Sequence, residues 1–378
     1  MPSVKFLHCA DLHIGASESF LGTLSQSRRF EALLTFDKII DLALENDVDL
    51  LLIAGDLFDS NNVENVFKER VFDGFRRIGE TKIVFAAGNH DPLCSNSPFL
   101  SDNLPQNLYL LKTDDDMICF EDIKTKVYGK SFSQVYMKGS ERFSFSAEND
   151  GYNHIMCIHG ELRYDLGSDY NSITTKFITE SRMDYIALGH IHKRTEIGEM
   201  GGVKFAYSGC AEGQGFDESG EKGVYLGSIS QTGTDLQFIP VSKRLHIIER
   251  VDISECEDSF SVAEKIKAQI SSKYDNFSEN LYKVILIGET LQDIQINIPE
   301  ILSIISQNVY YIKIKDETEI KLDLEALAEE NSLKGIFVKK ITERIESAED
   351  EQEKSRLKYA LKLGLNAFKS EVVFNDNQ

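Results

Sequence analysis

Eight polar residues of this chain stand where apolar runs give out: Asp11, His13, Asp56, Asn89, His90, His159, His190 and His192. Five of the eight histidines belong to this set. Carboxylate, imidazole and amide oxygen are borderline-to-hard donors, suited to manganese, iron or zinc rather than to clusters held by thiolates. There are too many for one tetrahedral ion with an open position, and the number fits two adjacent ions sharing a bridging carboxylate. Two cations about 3.5–4 Å apart can hold a hydroxide, polarise a phosphoryl group and stabilise both oxygens of an in-line displacement. Hydrolysis of a phosphate ester is the chemistry that most needs such a site. Any single Gly-Asp or Asn-His is ordinarily a turn or cap, but here the pattern recurs at five strand ends.

The elements that must position these groups are legible as hydropathy patterns. Val4–His8 reads as a buried strand ending in Cys9-Ala10-Asp11-Leu12-His13. A helix follows from Arg28 to about Glu45, with Ser25 or Ser27 available to cap it and Leu33, Phe36, Ile39, Ile40, Ala43 and Leu44 at helical spacing. Leu50–Ala54 is an apolar strand leading into Gly55-Asp56-Leu57-Phe58-Asp59. A second amphipathic helix covers roughly Val63 to Ile78, and the third strand, Lys82–Ala86, ends in Gly88-Asn89-His90-Asp91-Pro92. Alternating strands and helices with short connections predict an α/β domain with a parallel or mixed sheet, whose functional residues gather at the carboxyl ends of strands. From Leu108 shorter alternating runs (Tyr109–Leu111, Met117–Phe120, Lys126–Tyr128) predict antiparallel strands.

Two further apolar strands, Ile155–Ile158 and Tyr185–Leu188, end in His159-Gly160-Glu161 and Gly189-His190-Ile191-His192. In an extended chain alternate side chains share a face, so His190 and His192 can enter one site if the chain stays extended across Ile191, with Gly189 making the turn and Ile191 facing the core. A Gly-rich, charged stretch, Glu212–Lys222, reads as an ordered loop near that site. After Pro240 the histidine clusters stop. His246–Ile253, Leu281–Ile287, Ile294–Ile298 and Tyr310–Ile314 read as strands and Val262–Ser271 as a helix, which together describe a small α+β domain. From about Leu322 the chain is charged and helix-forming, with apolar stripes at Ile336, Ile341, Ile345 and at Leu357, Ala360, Leu361, Leu365, Phe368.

Composition bounds the function. At 378 residues, with 42% hydrophobic and 27% charged residues, the chain is a globular protein of two or three domains. No run is long enough for a membrane-spanning helix, the start shows no signal-peptide pattern, and the six cysteines form no Cys-x-x-Cys pair. A cytoplasmic, reduced protein is expected. The net charge of −21 opposes a long nucleic-acid footprint, because phosphate neutralisation by basic side chains supplies most of that affinity. Nucleic-acid chemistry would need a locally positive site, bound cations or a basic partner.

Asp11-x-His13, Gly55-Asp56, Gly88-Asn89-His90-Asp91, His159-Gly160 and Gly189-His190-x-His192, in this order and spacing, resemble the motif set of the calcineurin-like metallophosphoesterases, over roughly residues 4–240. Gly-Asn-His-Asp, Gly-Asp-Leu-Phe-Asp and Cys9-Ala10-Asp11-Leu12-His13 resemble the SbcD-type DNA-repair nucleases, and Gly220-Glu221-Lys222-Gly223-Val224-Tyr225-Leu226 with the C-terminal tail is similar to the YhaO-like branch. The resemblance implies a β-sandwich flanked by helices over 1–240, a small α+β capping domain over 241–315, and a helical C-terminal region over 316–378 that docks a partner. It implies that Asp11, His13 and His192 hold one divalent ion, that Asn89, His159 and His190 hold a second, and that Asp56 bridges them. Mn²⁺ is the ion expected, with Fe²⁺ or Zn²⁺ as alternatives, and a metal-bound water serves as nucleophile. His90, oriented by Asp91, would be the acid/base or phosphate-contacting residue, since imidazole exchanges protons near neutral pH.

The implied activity is exo- or endonucleolytic cleavage of single- or double-stranded DNA ends in DNA repair, together with an SbcC-type coiled-coil ATPase. A homodimer is implied as well, with the Val63–Ile78 helix region as a candidate contact. Hydrolysis of small nucleotides or other small phosphodiesters is the alternative, and suits the acidic composition better. One departure stands at Asp59, where some branches carry a phosphate-assisting histidine; an aspartate there either orients His90 or caps the next turn. Arg163, Lys193 and Arg194 are candidates for phosphate contacts, or else line a solvated loop. Tyr207 and Phe216 either stack a base or pack. His8 alternates away from the site and is expected to be packed, and His154 and His246 to be structural or exposed.

Overall fold

A computed structural model describes residues 3–101, 103–137, 145–291, 296–321 and 324–368. In chain order its strands are β1 (Val4–Cys9), β2 (Leu50–Ile53), β3 (Lys82–Phe85), β4 (Leu108–Leu110), β5 (Asp116–Phe120), β6 (Thr125–Gly129), β7 (Asn153–His159), β8 (Glu161–Arg163), β9 (Ser172–Thr174), β10 (Tyr185–Gly189), β11 (Gly198–Met200), β12 (Val203–Tyr207), β13 (Gly223–Ser230), β14 (Gly233–Pro240), β15 (His246–Asp252), β16 (Leu281–Ile287), β17 (Glu289–Leu291), β18 (Tyr311–Asp316) and β19 (Glu319–Lys321). The α-helices are α1 (Ser25–Glu45), α2 (Asn65–Arg77), α3 (Thr175–Ser181), α4 (Ser259–Lys273), α5 (Ile298–Ile305), α6 (Leu324–Glu329), α7 (Leu333–Ser347) and α8 (Glu351–Phe368). The chain forms two compact units: 1–248 with 278–283 and 309–311, and 249–277 with 284–308 and 312–378.

Two six-stranded mixed sheets build the first unit, in the orders β14-β13-β1-β2-β3-β4 and β11-β12-β10-β7-β6-β5. In the first sheet β1, β2, β3 and β4 run parallel, and in the second β6, β7, β10 and β12 do. Side-chain alternation sorts each strand between two faces. Phe6, Leu50, Leu52, Val84, Val127, Ile155, Cys157 and Tyr185 meet between the sheets. On the outer face of the first sheet, Leu7, Leu51, Ile53 and Phe85 pack against Phe36, Ile39 and Ile40 of α1 and Phe67, Val71 and Phe75 of α2. Met156, Ile158, Ile186 and Leu188 of the second sheet cover α3 through Ile178. This is the helix-flanked α/β sandwich that the family resemblance implies.

Some local expectations change. Alternation predicts Tyr109–Leu111 as an antiparallel strand, but β4 runs parallel to β3. Alternation reports that a strand is half-buried and carries no information about direction, and the residues between Phe85 and Leu108 are enough for a crossover. Neither Ser25 nor Ser27 caps α1: the residue before it, Leu24, makes no side-chain cap, and the Ser27 hydroxyl donates back to the Leu24 carbonyl at 2.9 Å. A 3-10 turn over Ser19–Leu24 leads into the helix instead.

In the second unit α4 opens with a capping box between Asp258 and Ser261. Of the strand expected over 294–298, residues 294 and 295 lie outside the described residues, and Ile298 opens α5. The apolar stripes of the C-terminal helices largely face one another: Leu327, Val338, Leu361 and Leu365 are buried together, with Phe337, Ile341 and Ile345 packed on them. Ile336, by contrast, is exposed. Among the described residues no helix is long and apolar enough to cross a membrane.

His8 is buried between the sheets, as its alternation predicts, with Nδ1 2.8 Å from the Tyr185 hydroxyl and Nε2 3.1 Å from the Leu188 carbonyl. Burial pushes its imidazole down to about 3, against the Leu188 carbonyl, which favours the proton. The unfolded chain therefore binds one more proton than the folded protein between about pH 3 and 6.5. The His8 contribution is intact above pH 6.5 and is lost as pH falls through that window. In urea titrations of wild type and His8→Asn, the wild type should lose stability more steeply with falling pH, by up to about 1.4 kcal/mol per pH unit below pH 6. Parallel pH profiles would contradict this.

Candidate metal centre

Every residue of the predicted set lies at the carboxyl end of a parallel strand. Asp11 and His13 follow β1, Asp56 follows β2, and Asn89 and His90 follow β3, while His159 closes β7 and His190 and His192 follow β10. The loops after β1 and β2 are stitched together by Asp11 N–H to Gly55 C=O (3.1 Å), His13 N–H to Asp56 C=O (2.9 Å) and Ile14 N–H to Leu57 C=O (2.9 Å). Asp11, His13, Asp56 and His190 all have positive φ, of 53°, 44°, 51° and 104°. They are half of the eight non-glycine residues with positive φ among those described. Such conformations cost on the order of 1–3 kcal/mol each and concentrate where side chains are aimed for function.

The donors form overlapping groups. Asp11, His13 and His192 offer ligand atoms within 4.8 Å of one another, as do His13, Asp56 and His90, and Asp11, Asp56 and His159. Asp56 Oδ2 lies 3.7 Å from His13 Nε2 on one side and 3.4 Å from His159 Nε2 on the other. His159 Nε2 is also 3.0 Å from Asn89 Oδ1, and its Nδ1 donates to the Ala54 carbonyl at 2.8 Å. His190 donates its backbone N–H to both Asp11 oxygens, at 3.0 and 3.1 Å, and its ring lies 5.2 Å from that of His159. Burial and the Asp56 charge push the Asp11 carboxyl up. Burial acts on Asp56 in the same sense, but the imidazoles of His159, His13 and His90 outweigh it and hold that carboxyl low. Burial drives His159 down as well, and lowers His190 to about 4 with help from His159.

Residues 4–194, half of the chain, match the family of calcineurin-like phosphoesterases. The chain belongs to that family. It is 25% identical to the uncharacterized metallophosphoesterase YhaO of Bacillus subtilis, over 86% of this chain and 84% of that protein. It is 24% identical to the DNA double-strand break repair protein Mre11 of Sulfolobus acidocaldarius, over 71% and 72%. To a subunit of the nuclease SbcCD of Bacillus subtilis it is 22% identical, over 57% of this chain and 64% of that protein.

A metallophosphoesterase of this family uses divalent metal ions, and the donor set suits them. His13 Nε2 and His192 Nε2 face each other at 3.0 Å, and at most one of two such nitrogens can carry the intervening proton. A cation satisfies both lone pairs, and the adjoining buried Asp11 and Asp56 carboxylates supply its counter-charge.

Other predicted residues fall differently. Asp91 does not orient His90: its carboxylate accepts from the N–H groups of Asp56 (3.3 Å), Leu57 (2.8 Å), Phe58 (3.1 Å) and Gly88 (2.9 Å). His90 is held instead by donating Nδ1–H to the Asp59 carbonyl at 3.0 Å, which leaves Nε2 free of that bond, on a half-exposed ring. The Asp59 carboxylate lies 3.4 Å from His13 Nδ1 and 3.7 Å from His90 Nδ1, so this residue helps position His90. Arg163 is paired with Glu161 and Asp165, Arg194 lies 4.1 Å over the Phe238 ring, and Lys193 is exposed. Tyr207 packs: it is buried, with its hydroxyl donating to the Gly160 carbonyl at 2.8 Å and accepting from Leu162 N–H at 2.7 Å. Phe216 is buried against Phe20 and His246. His154 bonds Asp150 and Tyr128.

Gly189 does not make the turn after β10; a Cβ there would lie 1.8 Å from the Ala54 carbonyl oxygen, so glycine is required by close approach, and His190 itself takes the positive φ. Ile191 is half-buried against the core beneath the second sheet. Two neighbours of the centre escape sequence reasoning. Tyr170 stacks on His190 with ring centroids 4.9 Å apart, and Glu218 accepts a hydrogen bond from His192 Nδ1. The Gly-rich 212–222 stretch marks the right loop, but nothing in it distinguishes Glu218 from Glu212, Asp217 or Glu221.

Asp91 thus ties the loop after β2 to the loop after β3. Replacing it by Asn turns one acceptor oxygen into a donor facing N–H groups, and should cost on the order of 1–3 kcal/mol. A chemical-denaturation midpoint unchanged in Asp91→Asn would contradict this role.

Proposed function

We propose that this metallophosphoesterase is a metal-dependent DNA phosphodiesterase, exo- or endonucleolytic, that acts in repair with an SbcC-type coiled-coil ATPase. The observation that carries the reading is the place of Asp56, whose one oxygen lies between the His13 and His159 imidazoles. On this reading Asp11, His13 and His192 would hold one divalent ion, Asn89, His159 and His190 would hold another, and Asp56 would be shared between them, with Mn²⁺ the expected metal. When bound, such ions polarise a phosphoryl group and make water acidic enough to attack it at neutral pH. The chain's own residues orient the rest. His90, fixed through Nδ1 by the Asp59 carbonyl on a half-exposed ring, keeps Nε2 free of that bond, and that nitrogen would serve as the acid/base or phosphate-contacting group. Asp91 and the Asp59 carboxylate act as positioning groups. Lys193 is an exposed positive charge beside the centre that a phosphate backbone would meet.

The relatives named for DNA double-strand break repair and for the nuclease SbcCD support DNA as substrate, and the name of the latter as one subunit of a nuclease supports a partner subunit. Exposed Leu333 and Ile336 on α7 and Tyr359 and Leu363 on α8 suit docking of that partner by the 316–378 region, beyond a capping domain over 241–315. Exposed Phe30 and Leu34 on α1 and Val66 on α2 suit a homodimer contact. A second reading, hydrolysis of small nucleotides or other small phosphodiesters, is favoured by the neutralisation of Arg163 by two acids and by the net charge of −21.

Cleavage of single- and double-stranded DNA beside a small chromogenic diester, in Mn²⁺ and with and without an ATPase partner, separates the two. The DNA reading expects DNA cleavage that falls steeply with salt; turnover of the small diester with DNA untouched even beside the ATPase would refute it. Asp56→Asn should lose about 100-fold or more of activity, since even the partners that merely support a metal ligand are worth 10–100-fold. Full activity in that variant would remove Asp56 from the bridging position. Metal counts should show His190→Ala and His192→Ala each losing one ion, and a different one.

A further inference from the structure

Outside the donors themselves, the loop from Gly209 to Lys222 is built around one of them. We propose that Glu218 is a positioning residue that fixes the tautomer and orientation of His192, so that Nε2 is presented to the centre; this rests on the metal-centre reading above. His192 has two ring nitrogens with separate tasks. Its Nε2 faces His13 Nε2 at 3.0 Å, and its Nδ1 donates to Glu218 Oε1. With the proton held on Nδ1 by a carboxylate, the Nε2 lone pair is free toward the centre, and the ring cannot rotate without breaking a charge-assisted bond.

The carboxylate is itself held. Its second oxygen accepts from Gln214 N–H at 2.7 Å, and Glu218 N–H donates to the Gly215 carbonyl at 3.1 Å, which closes a tight turn. The backbone of His192 is gripped by the same loop: its carbonyl accepts from Cys210 N–H at 3.1 Å and from the buried Lys222 ammonium at 3.2 Å. Glu212 anchors the loop to α1, accepting from Arg28 at 2.7 Å and Thr35 at 2.5 Å. Gly209, at φ 72°, allows the approach, since a Cβ there would meet the Arg194 nitrogen at 2.6 Å and the His192 carbonyl oxygen at 2.8 Å. His192 is thereby held at both its ring and its carbonyl by residues that come after it in the chain.

His192, Cys210 and Glu218 also offer donor atoms within 4.8 Å of one another, a grouping that would suit a further ion. The contacts favour a hydrogen-bonded shell instead. The Cys210 thiol is buried and lies 3.6 Å from Glu218 Oε2 and 3.5 Å from the His192 carbonyl oxygen, both of which can accept its proton.

Equilibrium dialysis of the full chain against Mn²⁺ tests the assignment. Wild type should take up two ions. Glu218→Ala should bind one of them about 10–100-fold more weakly, as loss of a supporting partner does, while Glu221→Ala, an exposed neighbour in the same loop, should match wild type. In the apoprotein labelled with ¹⁵N-histidine, at a pH high enough for the ring to be neutral, His192 should appear as the Nδ1-protonated tautomer, and that signal should be lost in Glu218→Ala. The tautomer in wild type decides the matter should the variant not fold. Unchanged affinity for both ions in folded Glu218→Ala, an Nε2-protonated His192 in wild type, or a third bound ion lost with Cys210→Ala would each overturn the proposal. Wild type that takes up no ion would overturn the metal-centre reading, and the role of Glu218 with it.

Discussion

Two buried carboxylates, Asp11 and Asp56, share the space where two sheets meet, and much of the first unit answers to that juxtaposition. Burial penalises each charge and each raises the cost of the other. The surroundings offset this with oriented dipoles and imidazoles: the His190 N–H on Asp11, the His90 N–H on Asp56 at 2.8 Å, and the rings of His13 and His159 beside Asp56. Asp91, a third buried carboxylate close by, is handled separately, by four backbone N–H groups. An arrangement so rich in buried acid and imidazole is unfavourable for stability alone. It makes sense as a receptacle for cations, as membership of the metallophosphoesterases requires.

The backbone bears the same constraint. Four candidate ligands sit at positive φ, and two glycines permit approaches that no side chain would: at Gly88 a Cβ would lie 2.2 Å from Asp56 Oδ1, and at Gly189 it would meet the Ala54 carbonyl. Strain of this kind persists only where neighbours over-determine the conformation. The parallel strands do so, since β1, β2 and β3 end together with their loops cross-bonded, and β7 and β10 end in register with His159 opposite Gly189. Arg28 does so on a larger scale. Buried, it binds Glu18, Glu31 and Glu212, and so joins the turn before α1, the helix itself and the loop that carries Glu218. Ion pairs of this depth add little net stability but demand one geometry, because a buried charge without its partner is costly.

The overall acidity and the centre coexist because charge is local. The formal −21 belongs largely to the surface, while the carboxylates at the centre are matched by imidazoles and backbone dipoles. Two of the three basic side chains that sequence alone offers to a substrate are committed elsewhere, Arg163 to two acids and Arg194 to the face of Phe238. That leaves Lys193, next to His192 in the chain, exposed.

Much of this is legible in the sequence. Apolar runs that end in Gly-Asp, Asn-His or His-x-His mark the strand ends, and because parallel strands align their carboxyl ends, the set Asp11, His13, Asp56, Asn89, His159, His190 and His192 converges as spacing implies. Other features have no local signal. Hydropathy alternation says whether a strand is half-buried but not which way it runs, so the direction of β4 is hidden from it. Asp91 follows His90 in the chain, yet its carboxylate turns to amides more than thirty residues away, because a buried carboxylate is satisfied wherever N–H groups lie open. His13 meets His192 across 179 residues, and Glu218 meets His192 across 26. The sequence by itself determined which donors exist, that they stand at strand ends, and the α/β class that gathers such ends. Only the tertiary structure decided which donors face one another, which nitrogen of each imidazole points inward, and which acidic residue of a charged loop is the one that matters, because those depend on how two sheets and the loops above them pack.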